Sequence, residues 1–327
     1  MNPTVERIGA APRAARPQIS AIIPCYNMER FIRLALESVE QQDGHVEIVV
    51  INDCSTDASE SAIRSWAQNA TVPCTLVTHP RNRGLPASLN SGLSEARGTY
   101  VSFLDADDRW EPGLAEKHTQ MLDSLGPSYA AVYGDAHIES VEGVTLRESF
   151  IDHFRPESRP SGDIFEELLY GQNFMNVSAV TVRKQALSSV GAFDESLPFQ
   201  DYDMWLRLAS RFKFAYSESS DAIITAVPGS MSDTMGVNLF RSYLIIWAKW
   251  RDDPRVDRRR LRGQAANAIF GLAGGRAFTG SSAIPAVSEG LRLYRDPMLA
   301  AAAANLLGRV AVSRARRRIQ RTADSSG

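Results

Sequence analysis

The sequence is short of the residues that build stapled or metal-caged folds. It holds three cysteines, Cys25, Cys54 and Cys74, and no two of them form a CxxC pair. A closed disulfide framework is therefore excluded, and a zinc ribbon or a thioredoxin-type site has no support. A reducing compartment is expected. The five histidines, at positions 45, 79, 118, 137 and 153, make no metal-ligand spacing. No GxGxxG follows a strand pattern, and neither a GxxxxGK run nor a GxSxG elbow is present, so dinucleotide, P-loop and hydrolase readings lack their fingerprints. Long apolar runs are missing too. The most apolar late stretch, residues 298–312, is interrupted by Asn305 and Arg309. It falls short of the roughly 20 apolar residues that a spanning helix needs. Arg7, Arg13 and Arg16 are followed by no apolar core, so no signal peptide is expected.

What is present is an ordinary soluble composition with an unusual distribution of charge. The 327 residues are 44% hydrophobic and 23% charged, enough for one large domain or two smaller ones. The net charge of -2 hides a balance of +11 over residues 235–327, where 17 Lys and Arg face 6 Asp and Glu. The first 234 residues are correspondingly acidic. An acidic body argues against nucleic acid as the main ligand, and a basic tail suits an anionic surface such as lipid. A cytoplasmic protein reaching the inner face of the membrane through that tail is expected.

Apolar periodicity orders the first third. Residues 19–23, 46–51, 74–78 and 99–104 read as buried strands, and 30–42, 58–69 and 85–96 as helices between them. That alternation predicts a parallel sheet with crossover helices. Further strands are expected at 130–133 and 178–182, and an amphipathic helix after residue 199. Beyond about 235 the pattern is helical and rich in Ala and Arg, with breaks at Pro254, Gly274, Pro285 and Pro297. The first 17 residues, with Pro3, Pro12 and Pro17, read as a loose arm.

In such a sheet, ligands bind beyond the carboxyl ends of the strands, and three strands here run straight into polar clusters. The sharpest is Asp105, Asp107 and Asp108. Three carboxylates at one strand end repel one another unless a cation neutralises them, and oxygen-only ligands favour magnesium or manganese. A helix N-cap would need only one of the three. Asp53, also at a strand end, has the chemistry to accept a base N–H, whereas Ser55, Thr56 and Asp57 are accounted for as helix caps. Residues 24–29 form a strand-to-helix turn. Residues 79–84 form a polar turn whose arginines, Arg83 among them, suit phosphate. Asp201 and Asp203 open the helix after 199, where N-terminal acids are ordinary.

In their order along the chain, these clusters resemble family 2 glycosyltransferases. The resemblance rests on residues 22–27 (IIPCYN), 50–57 (VINDCSTD), 82–84 (NRG), 103–108 (FLDADD), 191–196 (GAFDES) and 200–207 (QDYDMWLR), and covers roughly residues 18–228. It implies a GT-A fold: an α/β, Rossmann-like mixed sheet flanked by helices, here with a helical C-terminal region. It also implies roles. Pro24, Tyr26, Asn27 and Glu29 would line the nucleoside pocket, with Arg83 also on the nucleotide sugar, and Asp53 would bind the base. Asp105 and Asp107 would be the DxD pair, Asp107 on a manganese or magnesium ion and Asp105 towards the ribose. Asp201 would be the catalytic base. Gln200 stands where the family usually has glutamate, a departure that leaves Asp201 in place. The Gln-x-x-Arg-Trp motif of processive members is absent.

The expected activity is that of a non-processive, inverting, metal-dependent hexosyltransferase. It would move sugar from a nucleoside-diphosphate donor, UDP-linked, to a glycan or lipid-linked saccharide in envelope or exopolysaccharide assembly. A sugar nucleotidyltransferase is the rival on the same fold, but the Gly-rich basic loop it usually carries does not follow Pro24. An inactive glycan-binding module is the rival from another class, and intact Asp105, Asp107 and Asp201 argue against it. The expected organisation is an arm over 1–17, a GT-A domain over 18–234 and a basic helical region over 235–327.

Overall fold

A computed structural model describes residues 2–10, 17–42, 45–155, 157–171, 173–197, 200–229 and 236–274. The chain divides into two compact units, Met1–Pro228 and Gly229–Gly327, slightly ahead of the expected boundary at 234. The 298–312 stretch and the arginines of 314–318 lie outside the described residues.

The first unit begins with an element that the sequence reading treats as a loose arm. Strand β1 (Thr4–Gly9) pairs antiparallel with β4 (Pro73–Thr78), from Thr4 opposite Thr78 to Gly9 opposite Pro73. The physical reason is that β4 would otherwise present an open sheet edge. Ile8 packs on the core, and Glu6 pairs with Arg64 at 3.0 Å.

Strands β2 (Ile19–Cys25) and β3 (Val46–Asn52) are buried at every residue, as strands covered on both faces must be. With β4 and β5 (Tyr100–Phe103) they form the parallel half of the sheet. On one face, Ile19, Ala21, Ile23, Val46, Ile48 and Val50 meet Leu36 and Val39 of α1 (Ile32–Glu40) and Ile63 and Trp66 of α2 (Ser59–Ala67). On the other lies α3 (Leu85–Glu95), which approaches closely at Gly92. A Cβ there would stand 2.4 Å from Ile22 Cγ2.

The second half of the sheet is mixed. After β5 come β6 (Arg109–Trp110), α4 (Leu114–Leu125), β7 (Tyr129–Ser140), β8 (Thr145–Arg147) and α5 (Phe165–Tyr170). Next are β9 (Val180–Arg183), α6 (Lys184–Val190), α7 (Gln200–Ala209) and β10 (Lys213–Ala226). The sheet runs β1-β4-β3-β2-β5-β9-β7-β10-β6, with β8 on β7. The expected strands at 130–133 and 178–182 are present, but β7 extends to Ser140, and β6, β8 and β10 are additional. These three lack a continuous apolar run. The β10 strand is bulged near Glu218, whose φ is 55°, so its side-chain alternation breaks.

That bulge encloses a buried polar network. Asp221 accepts from His118 Nε2 at 2.8 Å and from Lys117, Ser217 and Ser219, while His118 Nδ1 lies 2.8 Å from Thr181 Oγ1. Burial pushes the Asp221 carboxyl up, but His118, Lys117 and Ser217 outweigh it and hold it at about 2. The main chain of Asp221 in turn accepts from Glu111 N at 3.0 Å, just after β6.

In the second unit, α8 (Gly236–Trp250) and α9 (Arg258–Gly274) pack on each other, separated at Pro254 as expected. Asp257 caps α9, accepting from Arg259 N at 2.8 Å. No described helix is long and apolar enough to cross a membrane.

Gly134 of β7 leaves the space in which Asp221 sits, since a Cβ there would fall 1.7 Å from Asp221 Oδ2. Gly134→Ala is therefore expected to lower stability by about 1–3 kcal/mol, through overpacking against a charged group. Urea unfolding checks this, and an unchanged midpoint would contradict the close approach.

Candidate active site

The parallel strands β4, β3, β2 and β5 all end at one edge of the sheet, so four loops meet there: 26–31, 53–58, 79–84 and 104–108. Two of these loops are stitched together by their own polar groups. Asn27, at φ 54°, donates its N–H to Ser55 Oγ at 3.1 Å and accepts from Thr56 N at 2.8 Å. Glu29 N donates to Asp57 Oδ2 at 3.0 Å, and Glu29 Oε2 accepts from Ala58 N at 2.7 Å. Asn27 and Glu29 thus shape the loop with their side chains. Pro24 is buried within β2, and Tyr26 is exposed at 45%.

Asp53 is buried and organises the 79–84 turn. Its Oδ1 accepts from His79 Nδ1 at 2.6 Å and Arg83 N at 2.8 Å, and its Oδ2 accepts from Gly84 N at 2.8 Å. Arg83 is exposed, its guanidinium 3.8 Å from Glu195.

The loop after β5 divides its three acids between two tasks. Asp108 turns inward, accepting from Ser178 Oγ at 2.7 Å and Thr225 N at 3.1 Å. Burial, with Asp105 and Asp107 nearby, still pushes its carboxyl well up. Asp105 and Asp107 are half-buried, and among the described residues no side chain hydrogen-bonds either carboxylate. Burial raises both. At Asp105 the charges of Asp107 and Asp201 add to it, and the carboxyl reaches about 7.

Helix α7 supplies Asp201. Asn173 Nδ2 donates to its Oδ2 at 2.9 Å. Burial raises the carboxyl to about 6, against the lowering pull of the Tyr202 N–H, Asn173 and its own N–H. Asp203 points elsewhere. It is fully buried and bonds Arg207 Nε at 2.9 Å, while Arg207 also holds the carbonyls of Val190, Gly191 and Ala192. Asp203 thus forms an ion pair with the residue four positions along the helix.

The structure brings Asp105, Asp107 and Asp201 into one electrostatic neighbourhood. It turns the Asp108 carboxylate inward onto Ser178 and Thr225 while it still feels Asp105 and Asp107, and it pairs Asp203 with Arg207. Among the described residues, no three His, Cys, Asp or Glu side chains are arranged to hold a metal ion by themselves. The donor chemistry still fits a hard cation shared with a ligand. Two half-buried carboxylates that no described side chain hydrogen-bonds, raised by burial and, at Asp105, by neighbouring charge as well, suit an ion completed by phosphate oxygens. Asn173 and Ser178 were not singled out in the sequence. Each is a lone polar residue in a loop-rich stretch, and only the fold shows what it touches.

Residues 20–189 match the family described as glycosyl transferase family 2. The chain belongs to that family. Among curated relatives, a Rickettsia typhi protein described as an uncharacterized glycosyltransferase is 25% identical over 71% of this chain and 71% of its own. Another from Rickettsia bellii is 28% identical over 59% of this chain, which spans only 27% of that relative's length. The Bacillus subtilis putative glycosyltransferase EpsH is 36% identical over 36% of each chain. Among solved structures, S. aureus TarS superposes with a TM-score of 0.60 at 18% identity, covering 87% of this chain and 50% of TarS. The mannosyltransferase PcManGT from Pyrobaculum calidifontis gives 0.54 at 21%, covering 93% and 89%. These likenesses show the GT-A fold that the sequence resemblance implies.

Proposed function

We propose that this family 2 protein transfers a sugar, non-processively and with inversion, from a uridine-diphosphate donor to a hydroxyl of a glycan or lipid-linked saccharide. The pathway proposed is envelope or exopolysaccharide assembly. The observation that carries the proposal is the convergence of Asp105, Asp107 and Asp201 where parallel strands end. Structures of TarS with UDP and with UDP-GlcNAc, and of PcManGT with GDP-Man and Mn2+, support a nucleotide-sugar ligand and a divalent ion.

In this reading Asp107 holds manganese or magnesium, and Asp105 faces the ribose. When bound, the ion neutralises the leaving diphosphate as a Lewis acid. The residues around Pro24, Tyr26, Asn27 and Glu29 line the nucleoside, Asp53 accepts from the base, and Arg83 lies on the nucleotide side. Asp201 takes the proton from the acceptor hydroxyl, whose oxygen attacks the anomeric carbon opposite the diphosphate. One base and one displacement give inversion with no sugar bonded to the enzyme. A carboxyl titrating near 6 is ionised at neutral pH and still basic enough to serve.

Asp107→Ala should abolish both turnover and the manganese-dependent part of nucleotide affinity. Asp201→Asn should lower the transfer rate about 10²–10⁴-fold while leaving nucleotide affinity near wild type. Because the base works only when ionised, the wild-type rate should rise with pH through about 6, and Asp201→Asn should lack that rise. Rate–pH profiles and calorimetry check these outcomes. Full activity of Asp107→Ala in excess chelator, or retention of the donor's anomeric configuration in the product, contradicts the mechanism.

The basic second unit is proposed as a peripheral contact for anionic lipid. Arg251, Arg255, Arg258, Arg259 and Arg262 are exposed. Arginines crowd the first turn of α9, the helix end where positive charge is least favourable. Binding to anionic vesicles that weakens with salt is expected. Equal sedimentation with neutral vesicles would contradict the contact.

A further inference from the structure

Asp53 has most of its accepting capacity already occupied by the protein. An ionised carboxylate offers about four acceptor positions over its two oxygens. Oδ1 takes two donors, His79 Nδ1 at 2.6 Å and Arg83 N at 2.8 Å, and Oδ2 takes one, Gly84 N at 2.8 Å. One position, on Oδ2, remains. Two of the three donors are main-chain groups of the 79–84 turn. The third is a side chain, and it is the one that a substitution can remove.

His79 is itself fixed from several directions. It is 1% exposed, and its main-chain N–H donates to Asn52 O at 2.9 Å. Its ring Nε2 lies 2.9 Å from Ser91 Oγ on α3, and the Ser91 hydroxyl donates to Ala87 O at 2.9 Å. A carboxylate only accepts, so the hydrogen between His79 and Asp53 sits on Nδ1. The imidazole therefore locks the rotation of the carboxylate and, together with Arg83 N, fills Oδ1.

We propose that His79 is a positioning residue that determines base specificity. By filling Oδ1 it leaves Asp53 a single open acceptor position, which matches a base with one ring N–H between carbonyls, as in uracil or thymine. Guanine presents adjacent N1–H and N2–H donors, and a carboxylate satisfies both only by offering both oxygens. With Oδ1 filled, one guanine donor stays unpaired in a buried place, and a site of that kind discriminates strongly. The proposal rests on the nucleotide-sugar reading above and assigns the residue that sets its base preference.

The test is calorimetric titration of the full chain with UDP and with GDP, each with Mn2+, alongside thermal unfolding of every variant. Wild type should prefer UDP by about tenfold or more, the value of one lost hydrogen bond in a buried site. His79→Asn places an amide donor where Nδ1 stood and should keep the preference. His79→Leu takes one of the two donors off Oδ1 and unlocks the carboxylate to turn a second acceptor position towards the base, so UDP should weaken, GDP should gain, and the preference should collapse. If His79→Leu does not fold, His79→Gln decides. Its amide reaches the Nε2 position and leaves Oδ1 with Arg83 N alone, so it should show the same collapse. A folded His79→Leu or His79→Gln with the wild-type UDP-to-GDP ratio overturns the role of His79, as does a wild type that prefers GDP. Failure of wild type to bind either nucleotide overturns the nucleotide-sugar reading itself.

Discussion

Carboxylates drawn out of water resist ionising, the more so beside one another, and this cost of burying charge sets the terms for the whole strand-end edge. The protein contains several buried or half-buried acids, and it treats them in two ways. Asp221 is surrounded by His118, Lys117 and two serines, and Asp203 holds Arg207. Asp108 takes Ser178 and a main-chain N–H, and Asp53 takes His79 and two more. Among the described residues, Asp105 and Asp107 receive no such side-chain help, and Asp201 receives Asn173 besides main-chain groups. Asp105 and Asp107 are thus raised with fewer hydrogen-bonding side chains than Asp53, Asp108 or Asp221, and Asp201 is raised beside them, the pattern on which the proposed role of a charge arriving with the ligand rests.

The scaffold makes that arrangement affordable. β2, β3 and β5 are buried parallel strands whose ends cannot shift independently, because α1 and α2 cover one face and α3 presses on the other at Gly92. β6 pins the acidic loop to β10 through Trp110 and Ala222, and Trp110 Nε1 donates to Ser178 O at 2.9 Å. Ser178 thus ties Asp108 down while Asp105 and Asp107 are left to the site. The Asp221 network lies behind this pairing and links the stability of the mixed half of the sheet to the placement of the loop.

Much of this was legible in the sequence, for physical reasons. The parallel strands are continuous apolar runs between helices of regular period, and a run of three acids directly after one of them has few structural explanations. Asp201 was legible only through the family resemblance, since acids at a helix start are common. β6, β8 and β10 were not legible, because two are very short and the third is interrupted by a bulge at Glu218. The edge strand at Thr4–Gly9 was hidden by the prolines around it. Asn173, Ser178 and the two-sided anchoring of His79 depend on contacts between residues far apart in the chain, which no local pattern records.

In the proposed mechanism a divalent cation arriving with the diphosphate offsets the burial and crowding that hold Asp105, Asp107 and Asp201 above the usual carboxylate range. Linkage gives it a direct signature. Burial and the charges of Asp107 and Asp201 push Asp105 up to about 7, so it is largely protonated at pH 6.5, and a cation beside it favours the ionised form. A diphosphate diester such as UDP-GlcNAc has no phosphate group titrating near that pH, so protons released on binding come from the protein. Calorimetry of UDP-GlcNAc with Mn2+ at pH 6.5, in buffers of different ionisation enthalpy, should show net proton release that fades as pH rises past about 8. Binding with no proton release, or with uptake, would contradict the account.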